Sequence, residues 1–191
     1  MSTVIDPKNI TNYSRTDSEL ETFWLFCLFV AGKNSDTASI KLSQLLEDMS
    51  PWDTPFSYLK TIDIHNKLLS VKSGQYTRLS KAIEQSIDLD LRNCDLDNLI
   101  NVYGVGPKTA RFFLLHTRED CEYAVLDTHI LKWVRHHVGY EDAPKNTPQD
   151  KKEYNKWSNI TISLMRESYP DLSLADIDLL IWTEVSGRLD N

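Results

Sequence analysis

Apolar residues recur along this chain three and four positions apart, the period of a helix, and no stretch alternates as a half-buried strand would. The first clear element opens at Thr16-Asp17-Ser18-Glu19, which has the form of a capping box and puts Leu20, Phe23, Trp24, Cys27 and Leu28 on one helix face. Gly32 and Asn34 end it. Ser35 is expected to cap a second helix carrying Ile40, Leu42, Leu45 and Leu46, closed by Pro51. A third helix is predicted over 56–69 and a fourth over 76–87, with Leu79, Ala82 and Ile83 inward. Asp95 caps a short helix ending near Tyr103. After the turn Gly104-Val105-Gly106, a helix begins with Pro107 at its first position; a link over 118–122 and a helix capped by Asp127 follow. Residues 141–149, with Pro144 and Pro148, read as a surface loop. Two more helices are predicted, over 151–169 and, after Ser173-Leu174-Ala175-Asp176, to about Val185. The fold class is all-α.

With 191 residues, 41% of them apolar and 26% charged, the chain has the composition of a folded globular protein, sized for one cored domain or two small helical lobes sharing a cleft. Its longest apolar run, 23–31, is too short to span a membrane, and acidic residues precede it where a secretory signal would carry basic ones. An intracellular protein is therefore expected. Cys27, Cys94 and Cys121 lack any Cys-x-x-Cys spacing or a histidine at zinc-ligand distance, so free thiols are expected. His136 and His137 are neighbours on a predicted helix and point apart, which argues against a metal pair.

The net charge of −7 argues against indiscriminate adhesion to nucleic acid, because phosphate contacts need local Lys and Arg. The charge is unevenly distributed. Residues 72–138 carry nine basic and nine acidic side chains, while the rest carries 12 basic against 19 acidic. A neutral middle with acidic ends is compatible with DNA bound by one face.

The chemistry concentrates in Leu99-Ile100-Asn101-Val102-Tyr103-Gly104-Val105-Gly106-Pro107-Lys108-Thr109-Ala110 and in Val125-Leu126-Asp127-Thr128-His129-Ile130. A helix, a Gly-Val-Gly turn and a second helix put consecutive backbone N–H groups at a helix start where no side chain blocks approach, an anion site suited to a DNA phosphate. Lys108 falls in the first turn of the second helix. An amine attacks carbon only when neutral, and partial burial and the positive end of a helix both favour the neutral form. Such an amine can attack C1′ of a nucleoside flipped out of the duplex. Asp127 caps a helix rich in Ile130, Leu131 and Val134; a carboxylate fixed there can also stabilise an oxocarbenium-like sugar or assist proton transfer at Lys108. A tight inter-helix turn, a phosphate-contacting lysine and a plain N-cap are the alternative readings of these three features.

Together these residues resemble the helix-hairpin-helix DNA glycosylase superfamily, the fold of endonuclease III and the 8-oxoguanine glycosylases. The likeness is specific over roughly forty residues around the hairpin. It implies Lys108 as nucleophile and Asp127 as catalytic carboxylate, and backbone contact to DNA at Val102, Gly104, Val105 and Gly106. Weaker similarity over 26–46, containing Ala31-Gly32-Lys33-Asn34-Ser35-Asp36, implies that Lys33 or Asn34 fills the gap left by the flipped base. The stretch Asp178-Leu179-Leu180-Ile181-Trp182-Thr183-Glu184-Val185-Ser186-Gly187 resembles the last helix of the short, single-domain 8-oxoguanine glycosylase/lyases. No cysteine follows Cys121, so the iron–sulfur cluster of the endonuclease III type is not expected, nor is a catalytic metal; relatives often hold a monovalent cation on the hairpin carbonyls. Val102-Tyr103 departs from the Leu-Pro that many relatives carry at that place.

The resemblance further implies a single domain over 1–191, with a central helical barrel over 32–122 that includes the hairpin and a second lobe built from 1–31 and 123–191. His129 is a candidate DNA contact, with local packing as its alternative. Trp24, Trp133, Trp157 and Trp182 are expected in the core or at a lobe interface. The expected activity is base-excision repair, removal of 8-oxoguanine from double-stranded DNA with strand nicking, by a monomer. The alternatives are a glycosylase for oxidised pyrimidines or alkylated purines, and a non-catalytic helix-hairpin-helix module that binds DNA.

Overall fold

In the structure, a computed structural model, residues 5–136 and 139–187 are described. His137 lies outside them. The architecture is all-α: among the described residues ten helices and no strand are present. The chain forms two compact units, residues 1–105 and 106–191, so the division falls inside the Gly-Val-Gly turn.

The N-terminal unit is built on α1 (Asp17–Val30). Thr16 and Glu19 form the expected capping box, and the run from Phe23 to Phe29 is buried on every side. A helix apolar all round must be surrounded by other elements. Here α2 (Ser35–Leu45), α3 (Pro55–Leu59) and α5 (Tyr76–Ser86) pack on it. That packing keeps α1 with the helices that follow it.

Two local expectations are corrected. Asn34, not Ser35, is the N-cap of α2: its side-chain oxygen accepts from the amides of Asp36 and Thr37 at 2.9 and 3.1 Å, and Ser35 becomes the first helical residue. The single helix expected over 56–69 is two, α3 and α4 (Ile64–Ser70). The break is chemical: Thr61 turns back onto the Tyr58 carbonyl through both its amide and its hydroxyl, and Asp63 starts a new helix by accepting from the Asn66 amide at 3.0 Å. The unit closes with α6 (Leu96–Ile100), capped by Asp95 as expected, and the first half of the turn.

The C-terminal unit holds α7 (Pro107–Leu115), α8 (Thr128–His136), α9 (Lys151–Ser168) and α10 (Leu174–Val185). Its core joins Leu115, Val125, Leu126, Ile130, Leu131, Val134, Tyr154, Trp157, Met165, Ile177 and Ile181, with α10 packed on α8 and α9. Among the described residues no helix is long and apolar enough to cross a membrane, and no disulfide joins the three cysteines.

Candidate active site

Helix α7 begins at Gly106, an extended residue with φ −98° and ψ 171° whose lack of a side chain leaves the first turn uncapped. Pro107 occupies the first helical position, where a missing N–H costs nothing. Lys108 follows, half-buried; among the described residues no hydrogen bond or ion pair engages its Nζ. The inward face of α7 is Ala110, Phe113, Leu114 and Leu115, which fixes the helix and with it the root of Lys108.

Asp127 is the N-cap of α8. Its Oδ1 accepts from the amides of His129 and Ile130, both at 2.8 Å, and its Oδ2 has no hydrogen-bond partner among the described residues. The segment that delivers it is clamped. The Tyr154 hydroxyl accepts from the Leu126 amide at 3.1 Å and donates to the Ala124 carbonyl at 3.2 Å, while the Thr147 hydroxyl donates to the Leu126 carbonyl at 2.7 Å. Burial pushes the Tyr154 phenol up to about 12, so it remains a neutral clamp throughout the physiological range. Arg111, one turn after Lys108 and itself buried, lies 4.3 Å from the Tyr154 ring and ties α7 to α9 by donating to Asn155 Oδ1 at 3.0 Å.

One residue absent from the sequence-based site belongs to this neighbourhood. Asp178 on α10 is only 6% exposed. Its Oδ2 lies 3.4 Å from Nε2 of the fully buried His116, and its Oδ1 is buried without a hydrogen-bond partner. Burial raises the Asp178 pKa above the usual carboxylate range; His116 opposes that shift, the negative charge of Asp127 adds to it, and the positive charge of Lys108 works against it. An amine, a carboxylate with one uncommitted oxygen and a buried carboxyl whose pKa is raised thus share one electrostatic field. The signal in the sequence was an aspartate at an inward position of an apolar helix, between Ile177 and Ile181.

His129 packs edge-on to the half-buried Trp182, with ring centres 6.2 Å apart. Trp24, Trp133 and Trp157 are core residues. The remaining DNA-contact candidates lie in the N-terminal unit. Val102 and Val105 bury their side chains, and the Val105 amide donates to the Val102 carbonyl at 3.0 Å to close the turn. Gly104 is exposed with φ +69°, a conformation that favours glycine. Lys33 donates through Nζ to the Ser73 carbonyl, and Asn34 is committed to capping α2.

An all-helical chain with a Gly-Val-Gly-Pro-Lys hairpin and a helix-capping aspartate in the following segment defines the helix-hairpin-helix DNA glycosylase class. No protein-family model matches the chain. It is similar to the 8-oxoguanine DNA glycosylase/AP lyase of Thermoplasma acidophilum, 29% identical over 176 residues that cover 86% of this chain and 79% of that protein. The enzyme of the same name from Thermoplasma volcanium is 30% identical over 147 residues, covering 70% of this chain and 67% of the relative. The fold matches the Methanocaldococcus jannaschii 8-oxoguanine glycosylase/lyase solved in complex with a 15mer DNA containing 8-oxoguanine, with TM-score 0.69, 18% identity and coverage of 91% and 84% of the two chains. It also matches the Thermotoga maritima 8-oxoguanine DNA glycosylase, with TM-score 0.65, 21% identity and coverage of 92% and 84%. The chain belongs to the 8-oxoguanine DNA glycosylase/AP lyase family.

Proposed function

We propose that this protein excises 8-oxoguanine from double-stranded DNA and then nicks the strand, with Lys108 as nucleophile and Asp127 as the carboxylate that faces the reacting sugar. The observation that carries the reading is the pairing of an unengaged Lys108 Nζ with an unengaged Asp127 Oδ2 in one unit, both acting electrostatically on the buried Asp178. A lysine at the positive end of a helix is unfavourable for the helix itself, which supports a role for it outside stability.

In the proposed reaction neutral Lys108 attacks C1′ as the bond from C1′ to the base breaks. The bonding pair leaves with the base, which takes up a proton, and the Asp127 carboxylate stabilises the positive charge developing on the sugar. The sugar ring then opens, its oxygen receiving a proton, to give an imine between Nζ and C1′. Loss of a proton from C2′ expels the phosphate on C3′ and nicks the strand; water then releases the sugar remnant and regenerates the amine. The flipped base is drawn from a duplex at a cost of a few kcal/mol.

The hairpin over 102–108 is the proposed phosphate anchor, through backbone amides and the uncapped start of α7. Lys33, Asn34 and His129 are proposed as neighbouring DNA contacts, and the protein is proposed to act inside the cell as a monomer. A monovalent cation fits the turn, because the carbonyls of Tyr103, Gly104 and Val105 accept no hydrogen bond among the described residues. Held there, it would add positive charge beside a phosphate; none of the steps above runs through it.

The test is release of free 8-oxoguanine and nicking of an 8-oxoguanine duplex by the purified protein. Wild type is expected to give both products and Lys108→Gln neither. Failure of wild type to release 8-oxoguanine, with release of an oxidised pyrimidine or alkylated purine from matched duplexes, would replace the substrate. Binding without release from any of them would leave a DNA-binding module.

A further inference from the structure

Helix α5 presents Arg78, Lys81 and Gln85 three and four positions apart, on one face, and all three meet the hairpin. A Cβ added at Gly104 would lie 2.6 Å from Cγ of Arg78, so the arginine stem occupies the place where a side chain at 104 would go. Lys81 Nζ sits 4.9 Å from the centre of the Tyr103 ring, and Gln85 Oε1 accepts from the Tyr103 amide at 2.6 Å.

Beyond its stem, Arg78 reaches the end of α1 and, through Gln75, the other proposed DNA-contacting turn. Nη2 donates to the Leu28 carbonyl in the last turn of α1 at 2.7 Å, and Nε donates to Gln75 Oε1 at 2.6 Å. Gln75 in turn donates through Nε2 to the Ala31 carbonyl at 3.5 Å. On the same side Lys33 is held on the Ser73 carbonyl, and burial followed by the charge of Arg78 lowers its pKa. Arg78 Nη1 is buried without a hydrogen-bond partner among the described residues. Two directed N–H bonds from a planar fork on a stem that covers a glycine is a task lysine cannot perform.

We propose that Arg78 is a positioning residue that locks the hairpin over 102–105 to the turn over 31–34, so that both present their DNA-facing groups as one preformed surface. The lock itself needs no DNA, while its consequence for DNA rests on the function proposed above. Gly104 is its complement: φ +69° and the Arg78 stem both exclude a side chain there. Because the proposed reaction gives Arg78 no step, the lock is expected to act on binding and to leave the chemical step alone.

The experiment compares wild type with Arg78→Met, which keeps the stem and removes the donors, and Arg78→Lys. Amide hydrogen exchange reads the lock without DNA. Binding to a duplex carrying a stable abasic-site analogue and single-turnover excision at saturating DNA read its consequence. Arg78→Met is expected to speed exchange at 102–105 and 31–34 selectively, to weaken duplex binding by about tenfold or more, roughly 1.4 kcal/mol, and to leave the saturated rate within about twofold, with Arg78→Lys in between. A cycle with Gly104→Ala is expected to be non-additive, the glycine substitution costing less affinity once Arg78→Ala has removed the stem. Unchanged exchange in Arg78→Met, or a fall in affinity and saturated rate together with protection lost throughout the unit, would overturn the lock. A wild-type protein that neither binds nor excises would instead overturn the proposed function, and the exchange data would still decide the lock.

Discussion

In α8 the amides of His129 and Ile130 are satisfied by Asp127, whereas in α7 the corresponding amides lie behind Gly106, which has no side chain to reach them. Both helices face the same deficit of unpaired N–H groups at their start. One is closed internally and the other left for an outside acceptor. The closed end uses only Oδ1 of its aspartate, so the cap that orients Asp127 also leaves Oδ2 for chemistry. The open end carries the lysine. Under the proposed function one residue both caps and serves catalysis, while an uncapped start leaves its amides open to a phosphate.

Exchanging single groups tests this contrast. The largest effect is expected from Asp127→Asn, because asparagine caps a helix as well as aspartate but carries no charge. Single-turnover base release should fall by about 100-fold or more, a scale typical for removing one preorganised electrostatic stabiliser. Thermal stability should barely change. Asp127→Ala should lose about 1 kcal/mol of stability in addition, which calorimetry separates from the activity loss.

Tyr154→Phe loosens the delivery of Asp127 without touching it. The Leu126 amide and Ala124 carbonyl lose their shared partner, a cost of about 1–3 kcal/mol for buried groups left unsatisfied. Denaturant unfolding reads that cost directly. Making α7 resemble α8 is the converse change: Gly106 has an extended backbone and open space where a Cβ would go, so Gly106→Asp is sterically permitted. It should stabilise the protein by a few tenths of a kcal/mol, about the usual gain of such a cap over glycine. It should also weaken duplex binding about tenfold, by placing a carboxylate on amides otherwise available to a phosphate. Stronger or unchanged DNA binding in this variant would break the comparison.

The smallest effect depends on pH and belongs to Asp178. Burial raises its folded-state pKa above the unfolded value, so its contribution is full below the ordinary aspartate range and is lost as pH rises through the raised pKa. Asp178→Asn should therefore gain stability relative to wild type on going from pH 4 to pH 7, as read by denaturant unfolding at the two pH values. A gain that grew toward acid pH would reverse the sign argued here.

The helices were legible wherever a local signal stood alone: the Thr16 and Glu19 capping box, Asp95, and Ser173 before α10 all start helices as read. The break at Thr61 to Asp63 was hidden because Phe56, Leu59, Ile64 and Leu68 continue a helical spacing across it, and only the competing cap at Asp63 reveals it. Asn34 outcompetes Ser35 by one position, a choice that the preceding turn decides and the residue types do not. Lys108 and Asp127 are candidates by motif, whereas the contact of His116 with Asp178 has no local signal, because the two are 62 positions apart and meet only through the packing of the C-terminal unit.

The central claim is that the open start of α7 carries the nucleophile. It is tested most directly by borohydride reduction of the protein with an 8-oxoguanine duplex, followed by protease digestion and mass mapping of the cross-linked peptide. The account predicts a single sugar-phosphate remnant on Lys108, and an adduct on any other lysine, or no adduct while base release continues, would contradict it.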